Sequence, residues 1–362
     1  MIKDAFSTTN SKVYSIDLLR IIAIIFVILD HVSSWNNYYH LSNLSIYWFV
    51  QAVSKTGVPL FLMISGYFLL YPKEETILIY ARKRINRIMI PFICWSYIYL
   101  LFQYKLPLED WQRSIPLNEI TLNPLLILKQ PTYGHLWFMY LLIGCYIAVP
   151  LLRKINEHLN CSEMIYIILI LLTSQIHSFI LNTTGNSLIN TSIFIKFFCD
   201  YMVFFEGGYL LRLLESRNKI KSGVYYILFL VGALLNWVVI YKTEWGTNNA
   251  TILLGGNSPL ILLTTLGIWG IVHHLPISND ILRKIAGLSR YTFQIYFCHM
   301  IFIWLCTKIH INNKNIFQMF NGQVTTIILV AVIVFICSLL VSIIIGRMKS
   351  LIVNYMHTQK SK

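Results

Sequence analysis

Charge is scarce in this sequence. Of its 362 residues only 12% are charged while 56% are hydrophobic, and acidic side chains number just 15. A soluble domain carries about a quarter of its residues as charges, so this composition excludes one water-facing domain. The seven cysteines include no CxxC pair and lie mostly in apolar runs. They read as small core residues rather than disulfide partners or metal ligands, and no metal is expected. A glycine-rich phosphate loop, HExxH, GxSxG and paired carboxylates of glycosidase character are all missing, which removes the enzyme classes built on them. No internal repeat is visible either.

What the chain has is apolar length. Mean hydropathy is +0.63, and runs of the roughly 20 residues needed to cross the hydrocarbon of a bilayer recur along nearly all of it. Spans are expected near 15–34, 47–71, 86–104, 134–152, 162–181, 193–213, 222–241, 258–275, 288–310 and 325–348. The fold class expected is therefore all-α, a polytopic membrane protein of about ten transmembrane helices forming a single embedded domain. Its first partner is membrane lipid. The first run contains Asp17, Arg20, Asp30 and His31 and no small-residue cleavage site follows, so it reads as a functional helix and not a signal peptide.

Formal net charge is +14, which raises the question of a nucleic-acid partner. The distribution answers against it. Lysine and arginine concentrate in alternate connecting segments, whereas the opposite ones hold only Lys105, Arg113, Lys129, Lys242, Lys308 and Lys314. That is the asymmetry of the positive-inside rule, and it places both termini in the cytoplasm.

Ionisable groups within a bilayer are costly, so each is a functional hypothesis. Arg20 and His31 are 11 residues apart in YSIDLLRIIAIIFVILDH, which puts them about 20° from eclipsed and about 16 Å apart along a helix. Asp17 is within reach of an i,i+3 ion pair with Arg20. Arg20 snorkelling to headgroups and His31 capping a helix end is the plain alternative, but anchoring does not need the second group. Glu206, in FFEGGYLL, is a candidate partner for Arg20 or another buried cation.

The Arg-(ten residues)-His spacing of Arg20 and His31, preceded by Asp17, resembles the first-helix signature of the acyltransferase-3 family of membrane O-acyltransferases. PLFLMISGYFLL at 59–70 is similar to that family's FFxxSG motif, with Leu62 in place of the second aromatic. RKRINRIMIP at 82–91 resembles its basic RxxR segment, with Arg84 and Arg87 in the two positions. GHLWFMYLLIGCYIAVPLL at 134–152 resembles its HLW helix and LSRYTFQIYFCH at 288–299 its Ser-x-Tyr…Tyr-x-x-His segment. One departure is Asp30 just before the first-helix histidine, where the family mostly has an apolar or aromatic residue.

The resemblance implies an acyl group, acetyl by default, moved from a cytoplasmic coenzyme A thioester to a hydroxyl of a carbohydrate or lipid-linked glycan outside a bacterial cytoplasmic membrane. Acetyl-CoA is then the donor, and glycan-assembly proteins are possible partners. His31 is the first candidate for general base or for nucleophile of an acyl-imidazole. Arg84 and Arg87 suit the coenzyme A phosphates or serve only as topogenic charge. His135 and Trp137 begin a helix where an acceptor would arrive, although Trp137 equally fits an interfacial belt. His299 and Tyr296 face catalysis, substrate or a neighbouring helix. Ser65 suits an oxyanion or, with Gly66, close packing. The rival function is a glycan or small-molecule transporter or export subunit without acyl transfer.

Overall fold

The structure, a computed structural model, describes residues 10–39, 44–105, 124–184, 196–215, 222–244, 258–276, 279–319 and 323–360. Its helices are α1 (Asn10–Tyr39), α2 (Leu44–Ser54), α3 (Gly57–Leu69), α4 (Ile77–Arg84), α5 (Ile90–Lys105), α6 (Pro124–Lys129), α7 (Trp137–His158), α8 (Cys161–Thr184), α9 (Lys196–Glu215), α10 (Ser222–Glu244), α11 (Pro259–His274), α12 (Asn279–Ser289), α13 (Thr292–Lys308) and α14 (Gln323–Lys360). The expected apolar segments coincide largely with helix, and residues 193–195 at the head of the sixth lie outside the described residues.

Among the described residues five segments are long and apolar enough to cross a membrane: Tyr47–Leu69, Ile77–Tyr104, Gly134–His158, Ser222–Val239 and Val324–Leu351. Cys161–His177 and Pro259–His274 are shorter apolar helices. Large apolar side chains such as Leu78, Ile98, Ile147, Leu151, Ile227 and Leu340 stand exposed along the helices. In water that surface would aggregate; against lipid it is satisfied. The chain is an all-α membrane protein.

Local chemistry sets the helix ends. Asn160 Oδ1 accepts the backbone N–H groups of Ser162 and Glu163 at 2.9 and 3.0 Å, and Glu163 accepts that of Asn160 at 2.7 Å. This capping box starts α8. Ser258 caps α11, where Pro259 occupies the first turn and gives up no needed hydrogen bond.

Two prolines act inside helices. Pro91 has no N–H and its ring crowds the carbonyl four residues back, that of Arg87. A π-helical turn at Ile85–Met89 absorbs the clash and joins α4 to α5. Pro150 lies within α7 and leaves the Tyr146 carbonyl without its intrahelical donor. Tyr80 of α4 supplies one, its hydroxyl donating to that carbonyl at 3.0 Å.

α1 is the centre of the bundle, packing against α2, α3, α11, α12, α13 and α14 through buried Leu19, Ala23, Ile24 and Ile28. α3 and α9 approach closely because both carry glycine at the contact. A Cβ on Gly66 would stand 1.7 Å from the Phe205 carbonyl oxygen, and one on Gly208 2.0 Å from that of Met63. The Ser65-Gly66 motif therefore has a packing role through its glycine.

The structure adds detail that periodicity did not reveal. The segment expected at 47–71 is broken between α2 and α3 at Lys55–Thr56. The segment expected at 288–310 begins at Thr292, and the turn before it follows a separate amphipathic helix, α12, that lies on α1. After α13 comes a short hairpin, β1 (His310–Ile311) antiparallel to β2 (Lys314–Asn315), a small exception to the all-α class. Its turn residues Asn312 and Asn313 have φ of 51° and 63°, which asparagine tolerates better than most residues.

Candidate active site

Three histidines from separate parts of the sequence meet inside the bundle. His31 comes from α1, His135 from a 3-10 turn at Gly134–Leu136 that heads α7, and His299 from α13. Ring centroids are 5.3 Å apart for His31 and His299, 5.1 Å for His135 and His299, and 6.4 Å for His31 and His135.

Backbone anchors hold this arrangement. The Tyr296 hydroxyl donates to the His135 carbonyl at 2.6 Å, tying α13 to the head of α7. The Tyr99 hydroxyl donates to the Phe297 carbonyl at 2.5 Å and brings in α5. His299 Nδ1 lies 2.6 Å from the Tyr296 carbonyl. A carbonyl only accepts, so Nδ1 carries the proton and Nε2 is left as a lone pair. That Nε2 is buried and has no hydrogen-bond partner. Rings of Tyr99, Tyr133 and Tyr296 surround His135 at 5.0, 5.6 and 5.4 Å.

Asp30 precedes His31 but serves another group. Its carboxylate takes Lys55, at the break between α2 and α3, at 2.9 and 3.0 Å on its two oxygens. The Gln51 amide donates to the Asp30 carbonyl at 2.9 Å and to the Ser33 hydroxyl at 2.6 Å, so the histidine end of α1 is clamped to α2.

The other end of the bundle is cationic. Arg20 donates to Asp17 across one turn, as the i,i+3 spacing predicts, and the Ser289 hydroxyl donates to the same carboxylate at 2.8 Å. The Arg20 guanidinium stands over the Phe68 ring at 5.1 Å. Arg84 and Arg87 flank the junction of α4 with the π-helical turn. Arg84 lies over Tyr80 and Tyr146 at 5.2 and 5.6 Å and its Nε is buried without a hydrogen-bond partner, while Arg87 is exposed.

Arg153, not among the candidates above, is buried and shares the Tyr80 ring with Arg84, each guanidinium 5.2 Å from its centroid. It donates to the Leu69 carbonyl at 2.6 Å and reaches Glu75 at 3.4 Å; Lys83 takes the other Glu75 oxygen at 2.6 Å. The Lys83 hydrogen bond, followed by that of Arg153, holds the Glu75 carboxyl below the usual carboxylate range.

The remaining expected residues take definite places. The Ser65 hydroxyl lies 3.4 Å from that of Tyr146, at the arginine end, about 16 Å along α7 from His135. Glu206 is buried and accepts from the Asn156 amide at 3.0 Å. Of the two partners expected for Glu206, Arg20 or another buried cation, Arg20 is corrected, since it pairs with Asp17 on its own helix. Trp137 packs on Tyr201 at 5.6 Å. Sequence reasoning missed Tyr99, Tyr133, Lys55 and Tyr80, which act through contacts between distant segments. Only Pro150 left a signal, since a proline in an apolar run announces a carbonyl that needs a donor.

The family model for the acyltransferase domain of the acyltransferase-3 type matches residues 13–347, nearly the whole chain. Among curated proteins and solved structures none gives a match. The matched region contains all three histidines and the arginine end, and a match of this extent shows membership: the chain belongs to the acyltransferase-3 family, whose members are membrane acyltransferases.

Proposed function

We propose that this chain moves an acetyl group from acetyl-CoA to a hydroxyl of a cell-surface or exported polysaccharide at a bacterial cytoplasmic membrane. The observation that carries the reading is the two-ended polar column. Guanidinium groups collect at one end of the bundle, and three converging imidazoles stand about 16 Å along α1 from Arg20.

Arg84 and Arg87 suit the coenzyme A phosphates, because a guanidinium offers a planar fork of donors to phosphate oxygens. The unpartnered Arg84 Nε fits that use. Beside them a cleft of about 580 Å³, lined by Lys73, Glu75, Thr76 and Lys83 among others, opens to the surface. At the histidine end, His31 takes the proton from the acceptor hydroxyl. The oxygen then attacks the thioester carbonyl, and the departing thiolate recovers the proton from the imidazolium. Acyl transfer through a His31 acyl-imidazole uses the same residues in two steps. A lipid-linked glycan and its assembly proteins would be partners on this reading.

The experiment compares ester-linked acetate on the surface polysaccharide of cells with the gene, without it, and with His31→Ala. Loss of acetate in the second and third supports the reading. Acetate that persists without the gene ends it.

A further inference from the structure

A buried polar atom without a partner costs about 1–3 kcal/mol, so native chains hold few of them. Here several gather beside the histidines. Thr132 Oγ1, Tyr133 OH, both ring nitrogens of His135, His299 Nε2 and Trp304 Nε1 are buried without hydrogen-bond partners, on residues 0%, 3%, 3%, 0% and 7% exposed. A chain of rings connects them: Trp304 to Phe102 at 5.0 Å, Phe102 to Tyr133 at 6.1 Å, Tyr133 to His135 at 5.6 Å and His135 to His299 at 5.1 Å. Trp304 and Phe102 lie near the C-terminal ends of α13 and α5, while Arg84 and Arg87 precede α5. Packing alone does not call for these polar atoms. Phenylalanine at 133 or valine at 132 would fill nearly the same space.

Their hydrogen-bonding roles select a ligand. Trp304 Nε1 only donates, the Tyr133 and Thr132 hydroxyls donate and accept, and His299 Nε2 only accepts because its Nδ1 holds the proton. A carboxylate or phosphate offers nothing to His299 Nε2, and an acyl chain leaves the three donors unpaired. Hydroxyl groups both donate and accept, so those of a polyol match each of these atoms, the two His135 nitrogens included. The intervening aromatic faces suit the C–H face of a sugar ring.

We propose that Thr132 and Tyr133, with His299 Nε2, form the acceptor subsite, which binds neighbouring hydroxyls of a pyranose and holds one within reach of His31, with Trp304 one ring farther along beyond Phe102. This rests on the acyl-transfer reading above and gives the acceptor its place within it. The test uses the full chain in vesicles of phosphatidylethanolamine and phosphatidylglycerol, with radiolabelled acetyl-CoA and surface polysaccharide extracted from cells lacking the gene. Tyr133→Phe and Thr132→Val each remove one hydroxyl at nearly constant shape. Each should raise the acceptor KM about tenfold, the scale of one lost hydrogen bond, and leave the donor KM alone. The unfolding midpoint without polysaccharide should stay or rise, because an unpaired hydroxyl has been taken from the interior. Parental acceptor KM in both variants overturns the proposal; so does a lowered midpoint with unchanged KM, which would mean that the hydroxyls hold structural water. If the parent protein transfers no label to the polysaccharide, the acyl-transfer reading itself has failed.

Discussion

Replacing His31 with glutamine separates chemistry from structure. Glutamine keeps polarity and hydrogen-bonding capacity but takes up no proton at neutral pH. The His31 ring contacts two other imidazoles at 5.3 and 6.4 Å, and ring pairs of this kind contribute about 0.5–1.5 kcal/mol beyond their buried area. The folded protein should therefore survive the change. A missing general base costs about 10²–10⁴-fold in rate, or about 2.7–5.4 kcal/mol of transition-state stabilisation at 1.36 kcal/mol per tenfold. The assay follows radiolabelled acetyl from acetyl-CoA to polysaccharide in membranes, normalised to the amount of inserted protein. Quenching a single turnover in the parent tests for label on the protein, which an acyl-imidazole path requires and direct transfer does not. His31→Gln in combination with His299→Gln then asks whether the two act as a unit, in which case the double variant is little worse than the more damaging single. A His31→Gln protein that inserts normally and transfers acetyl within about threefold of parent, against the 10²-fold minimum, refutes the assignment.

Arg84→Ala and Arg87→Ala should each raise the donor KM by about 10- to 150-fold, the equivalent of 1.5–3 kcal/mol for a charge-assisted contact; an unchanged donor KM returns both arginines to topogenic charge. Tyr80→Phe should cost about 1–3 kcal/mol of stability by orphaning the Tyr146 carbonyl, and much less in a Pro150→Ala background, where residue 150 regains its N–H. Additive unfolding midpoints across that cycle would remove the link between the proline and the tyrosine. Because Glu75 is held below the ordinary carboxylate value of 4.5, it contributes stability above that pH and loses it as the pH falls through the lowered value. Glu75→Gln should therefore melt earlier than parent at neutral pH, with the gap closing in acid, and a gap that is constant with pH counts against the ion pairs.

Helices were legible because lipid demands long apolar runs with their backbone hydrogen bonds made internally, and such runs are visible without knowing what packs on what. The Asp17–Arg20 pair was legible for a similar reason, since helical spacing alone brings the two together. The Asn156 partner of Glu206 was not legible because it depends on how α9 meets α7, which no periodicity encodes. The same limit hid Lys55. Its place beside Asp30 follows from the break between α2 and α3, and an apolar span at 47–71 gives no hint of that break. The aromatic surroundings of His135 were also invisible, because Tyr133 precedes the helix and Tyr99 reaches in from α5.

Asp30 shows how a departure from a family pattern can be compatible with it. An unpaired carboxylate next to the base proposed for the reaction would leave a bare charge beside it. Lys55 sits on both Asp30 oxygens at 2.9 and 3.0 Å, so the pair is close to neutral toward its surroundings. The Gln51 contacts to the Asp30 carbonyl and Ser33 then use the same junction to fix the helix that carries His31. On the acyl-transfer reading this matters for reach. Arg20 and His31 are about 16 Å apart along α1, roughly half of a hydrocarbon core of about 30 Å. On that reading the thioester would approach from the arginine end and the sugar hydroxyl from the other, and each would come partway into the membrane to meet. A clamp that holds the histidine at that depth, without leaving an unpaired charge beside it, is what such a meeting requires.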